Sequence, residues 1–116
     1  MGYDVHITRA DDWAESESKP ISLEEWLSYV AGDSEMRLDN FAEAEVGGKK
    51  VLRYENEGLA VWSAYSGHGL KGNMVWFDFR TDRIVVKNPD EEILGKMRRI
   101  ASSLGAKVQG DDGELY

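Results

Sequence analysis

The chain carries two histidines, and they are its most versatile titratable groups. His6 falls in an alternating segment, Tyr3 to Thr8. Tyr3, Val5 and Ile7 point one way, and Asp4, His6 and Thr8 the other. Asp4 lies two residues away on the same side, so His6 and Asp4 could form a general acid–base pair. The competing expectation is a solvated strand face. His68 lies in Ser66-Gly67-His68-Gly69, where flanking glycines would let a substrate come close. An ordinary hairpin loop has the same composition.

Other chemistries meet stronger objections. Ser66 with His68 lacks the Gly-x-Ser-x-Gly elbow and no helix follows it. The Gly67–Gly72 stretch with Lys71 lacks phosphate-loop spacing and leads into a strand. The absence of cysteine excludes disulfides, thiolate metal sites and thiol catalysis. Asp111, Asp112 and Glu114 are hard oxygen donors for Ca²⁺ or Mg²⁺, but without EF-hand spacing they read first as a solvated acidic tail. No cofactor is implied.

These residues need a scaffold, and the sequence predicts one over residues 1–116, with 110–116 a loose tail unless Leu115 and Tyr116 dock. Arg9 to Lys19 reads as a surface loop anchored by Trp13. Ser22 and Glu25 form a capping box, and Ile21 and Trp26 a hydrophobic staple. Leu23, Trp26, Leu27 and Val30 give that helix an apolar face, and Gly32 a left-handed end. Residues 33–48 fit no period and predict an irregular stretch with a short strand before a Gly47-Gly48 turn. An antiparallel meander follows: Val51–Glu55, a turn at Asn56-Glu57-Gly58, then Leu59–Tyr65, Met74–Phe79 and Arg83–Lys87. The second helix is capped by Asn88, with Pro89 first and Asp90, Glu91 and Glu92 in its opening turn. Its stripe is Ile93, Leu94, Met97, Ile100, Ala101 and Leu104; Lys96, Arg98 and Arg99 read as a solvated basic face; Gly105 closes it. Lys107–Gln109 forms a last strand. The expected fold is α+β, mainly antiparallel, in the order β-α-β-β-β-β-α-β, with both helices on one sheet face.

The meander concentrates aromatic rings. Alternation sets Trp62 apart from Val61 and Tyr65, and Trp76 apart from Phe77 and Phe79, so both faces carry large side chains. One face must be core. The other is either an exposed aromatic interaction surface or is covered by residues 33–48; Trp62, Tyr65, Trp76 and Phe77, with His68, are the candidate binding residues, and alternation leaves open which face is exposed.

Net charge is −8, from 22 acidic and 14 basic side chains, which disfavours nucleic acid and anionic membranes and permits a basic protein partner. No apolar run is long enough for a membrane helix, and Met1-Gly2-Tyr3-Asp4 lacks a basic, apolar leader, so a cytoplasmic location is expected. Four segments resemble a family of small uncharacterised bacterial proteins: Tyr3-Asp4-Val5-His6-Ile7-Thr8-Arg9-Ala10, Gly58–Phe79, Asn88-Pro89-Asp90-Glu91-Glu92-Ile93-Leu94, and Val108-Gln109-Gly110-Asp111-Asp112-Gly113-Glu114. In size and acidity that family is similar to immunity proteins that neutralise secreted toxins. The resemblance implies a binding module and assigns no catalytic residue. Two rival expectations stand beside it: a small enzyme or ligand-binding domain using His6 and His68, and a homodimer joined through its aromatic face.

Overall fold

Alternation of β-branched and polar residues produces the first strand, β1 (Asp4–Thr8). The computed structural model describes residues 3–39, 41–46, 50–55, 57–67 and 75–116. A 3-10 turn, η1 (Trp13–Ser18), follows, then helix α1 (Leu23–Gly32) and strands β2 (Met36–Leu38), β3 (Phe41–Val46), β4 (Lys50–Glu55) and β5 (Ala60–Trp62). Strands β6 (Trp76–Arg80) and β7 (Arg83–Lys87), helix α2 (Glu91–Leu104) and strand β8 (Lys107–Gly110) complete the order. The fold is α+β. Six strands form one antiparallel sheet in the order β2-β5-β6-β7-β1-β8, and β3 and β4 form a separate hairpin. Among the described residues, no helix is long and apolar enough to cross a membrane.

Register explains the core. Val5 pairs with Val86, Ile7 with Ile84 and Val108, Phe79 with Ile84, and Ala60 with Phe77, so these side chains share one face. Both helices contribute to that core: Trp26 and Val30 from α1, and the stripe from Ile93 to Leu104 from α2. The capping box of α1 forms as expected, with Ser22 Oγ accepting from the Glu25 amide and Glu25 Oε1 from the Ser22 amide. Ile21 and Trp26 are both fully buried beside it. Gly105 closes α2 in the left-handed conformation, at φ 64°.

Several boundaries differ from expectation. The cap of α2 is Asp90, whose Oδ1 accepts from the Ile93 amide. Asn88 instead ties off the end of β1: its Oδ1 accepts from the Tyr3 amide, and its amide donates to the Tyr3 carbonyl. Gly32 is the last residue of α1, without a positive φ, and Asp33 is the cap. Residues 33–48 supply two strands. One of them, β2, takes the sheet edge beside β5, so Val51–Glu55 lies outside the meander, paired with β3. Strand β5 ends at Trp62, short of Tyr65; beyond it the Ser63 amide and hydroxyl both donate to the Glu35 carbonyl. The Gly47-Gly48 turn, Asn56, and residues 68–74 lie outside the described residues.

Gly58 is required by a close approach. Its carbonyl accepts from Trp26 Nε1 at 2.7 Å, and a Cβ there would stand 2.5 Å from Phe79 Cβ. Phe79 Cβ is fixed to the sheet backbone and cannot give way by rotation. Gly58→Ala is expected to destabilise the protein by about 1–3 kcal/mol, read as a lower denaturant midpoint. An unchanged midpoint would contradict the packing described here.

Candidate functional site

The sheet face away from the helices is where polar side chains converge. His6 pairs in register with Val85 on β7 and Gln109 on β8, placing it between two neighbouring strands. It is not solvated: the residue is 2% exposed. Its cover is Trp13, the single aromatic of the Arg9–Lys19 segment, whose ring lies parallel to the imidazole at 4.1 Å between centroids. The Arg83 guanidinium also lies against the Trp13 ring, 5.4 Å from its centroid.

Both imidazole nitrogens are engaged. Arg83 Nε donates to Nδ1 at 3.2 Å, and Nε2 stands 2.8 Å from Asp111 Oδ1. A guanidinium has no acceptor, so Nδ1 must be the unprotonated nitrogen and the proton sits on Nε2, donated to Asp111. Asp111 Oδ2 accepts from the Asp4 amide at 2.9 Å. The carboxylate partner of His6 is therefore Asp111, 105 residues downstream, and not the Asp4 side chain expected from proximity in sequence. Burial lowers the His6 pKa, and the Arg83 charge adds to this against the opposing pull of Asp111. The hydrogen bonds from His6 and from the Asp4 amide lower that of Asp111.

Gln109, 4% exposed, fastens the neighbouring segments. Its Oε1 accepts from the Trp13 amide, and its Nε2 donates to the Asp11 and Gly113 carbonyls. Trp13 Nε1 donates to the Asp111 carbonyl, and the buried Ser16 hydroxyl to Asp82. The C-terminal residues are tied down as well. Gln109 bridges to Leu115, the Tyr116 amide donates to the Val108 carbonyl, and Tyr3 donates its hydroxyl to Glu114. Asp111 and Glu114 thus hold protein donors, and Asp112 is exposed. Among the described residues, no group of three or more His, Asp or Glu could hold a metal ion.

The predicted aromatic surface divides. Trp62 and Phe77 belong to the core, at 3% and 0% exposure, because their register faces the helices. Tyr65 packs partly against the core and donates its hydroxyl to Asp90. Trp76 is half-buried and pairs with Val61, on the opposite sheet face. These four residues therefore do not form one exposed patch. His68 lies outside the described residues. Ser66 donates both its amide and its hydroxyl to Glu92.

A second polar cluster was hidden in the stripe of α2. Lys96 is 3% exposed, and its Nζ donates to Asp33 at 2.6 Å and to Glu35 at 2.9 Å. Tyr29 also donates to Asp33, and Trp62 Nε1 to Glu35. Burial pushes the Asp33 pKa up, but the Lys96 and Tyr29 bonds outweigh it and hold the group below its ordinary value. The reading of Lys96 as solvated is corrected by its spacing: three residues after Ile93 and four before Ile100, it lies within the stripe. Asp33→Ala leaves a buried ammonium short of a partner and is expected to cost about 1–3 kcal/mol. Lys96→Met keeps the apolar stem and frees the carboxylates to hydrate, so it is expected to cost less. The reverse order in denaturation would contradict this account.

At His6 both ring nitrogens hold protein partners. The nitrogen that a general base would present to a substrate is occupied by Arg83. The open depression beside Arg9 offers no free cation either. That guanidinium is committed to the Leu104 and Pro20 carbonyls and, bidentately, to Glu25, whose pKa Arg9 lowers to about 2. No protein-family model matches the chain, and no curated protein or solved structure shows a match to it.

The lowered His6 pKa sets a pH dependence. Above the unfolded value of 6.5 neither state binds the proton, and the contribution is complete. As pH falls below that, the unfolded chain takes up a proton that the folded chain refuses, so stability declines. The depressed carboxylates Asp111 and Glu25 add their loss only below their ordinary values of 3.8 and 4.5. Stability is expected to fall between about pH 7 and pH 5, and His6→Gln to flatten that fall. An equal slope in the variant would contradict it.

Proposed function

We propose that this protein is a binding module for a basic protein partner, in the manner of an immunity protein. The observation that carries the reading is the buried polar cluster, which fixes two distant segments side by side and leaves their carboxylates in water. Asp11, Asp12, Glu15 and Glu17 come from the η1 segment, and Asp112 from the C-terminal turn; all five are exposed. Gln109 joins the two segments directly through the Asp11 and Gly113 carbonyls. A preorganised acidic face loses little freedom on docking and attracts a cationic partner over a distance.

Apolar anchors lie beside it. Leu115 is 68% exposed and Tyr116 42%, and an aromatic or aliphatic anchor within a polar rim is the usual energetic centre of an interface. The aromatic part of the surface is thus assigned to the C-terminal turn in place of the meander. The net charge of −8 accords with this choice of partner and disfavours nucleic acid.

The test is co-purification from native lysate across a salt series, followed by charge reversal. A stable basic partner is expected. The triple variant Asp11→Lys, Asp12→Lys, Asp112→Lys should lose it, while Glu24→Lys with Glu57→Lys should retain it. Equal retention by both variants, or recovery of no partner at any salt concentration, would overturn the proposal.

A further inference from the structure

We propose that His6 is a proton-operated latch, which holds the Trp13–Ser18 turn on the sheet when neutral and releases it when protonated. The argument rests on donor and acceptor geometry. The neutral ring accepts from Arg83 at Nδ1 and donates to Asp111 at Nε2. A proton taken from solvent can add only at Nδ1. That nitrogen then becomes a donor facing another donor 3.2 Å away, and both groups are cations. The guanidinium must leave. Arg83 has a route, since its side chain is 21% exposed.

The departure acts unequally on the two segments. Arg83 lies against the Trp13 ring and pairs with Asp82, the acceptor for the buried Ser16 hydroxyl. Its displacement therefore disturbs two of the contacts that seat η1. Asp111 responds in the opposite sense, because an imidazolium donates to a carboxylate more strongly than a neutral ring does. The C-terminal turn stays held while η1 loosens.

Among the described residues, Arg83 is the cation bonded to His6, and the other charges around it are carboxylates or lie farther along the strands. Asp4 stands on β1, Asp111 after β8, and Asp82 in the β6–β7 turn; Asp78 and Arg80 pair with each other on β6. Lys87 and Lys107 lie in register with Asp4 and Thr8, and Glu15 and Glu17 are exposed on η1. Asp111 and Asp4 favour the imidazolium; Arg83 opposes it, along with burial. The latch belongs to the fold with or without a partner. Only its consequence for the acidic face, which would come apart in mild acid, rests on the binding function proposed above.

The experiment is hydrogen–deuterium exchange on the free, full chain at about pH 7.5 and 5.5, corrected for intrinsic rates. Amides of residues 13–19 should exchange about tenfold faster at the lower pH, with residues 110–116 unchanged. His6→Gln should abolish the difference. Equal protection of residues 13–19 at both pH values, or the same gain in His6→Gln, would overturn the latch. Should His6→Gln fail to fold, Arg83→Met decides by NMR titration: the His6 imidazole should titrate at higher pH than in the wild type, and an equal or lower value would overturn it. No partner enters these measurements, so their failure is distinct from failure of the binding function.

Discussion

An imidazole buried in a sheet must find a donor for one nitrogen and an acceptor for the other, or bear the cost of unpaired polar atoms. At His6 that requirement recruits one group from β7 and one from the turn after β8. The ring then needs an apolar cover, which Trp13 supplies. The demands of this one side chain thus act on both η1 and the C-terminal residues, alongside the bonds of Gln109.

The two faces of the sheet are held by different physics. Helices α1 and α2 load the inner face with aliphatic and aromatic area, a non-directional force that tolerates modest repacking. The outer face over β1 and β8 is held by directional bonds through His6, Arg83, Asp111 and Gln109. Such networks are unforgiving of a lost member and responsive to protons. The acidic segments that we assign to partner binding are fastened on this second face. Their arrangement therefore depends on the protonation of His6.

Much of the scaffold was legible because it is encoded locally. The capping box at Ser22 and Glu25, the stripe from Ile93 to Leu104 and the left-handed Gly105 each depend on residues within a few positions of one another. The separation of β4 from the meander was not legible, since it depends on which strand pairs with β5, a long-range choice. Strand alternation placed His6 on the correct face, but not under a cover. A lone Trp13 in an otherwise polar segment was the only trace of one. Asp111 was out of reach of spacing arguments because chain folding alone brings it to His6. Lys96 was legible in principle, since helical spacing sets it among Ile93, Met97 and Ile100.

The account places one proton at one atom, and that placement can be measured directly. A long-range ¹H–¹⁵N NMR spectrum of the imidazoles at neutral pH should show His6 as the Nε2–H tautomer, with a slowly exchanging proton held by Asp111. A His6 ring in the Nδ1–H form, or one averaging rapidly between tautomers, would contradict the arrangement from which the rest is argued.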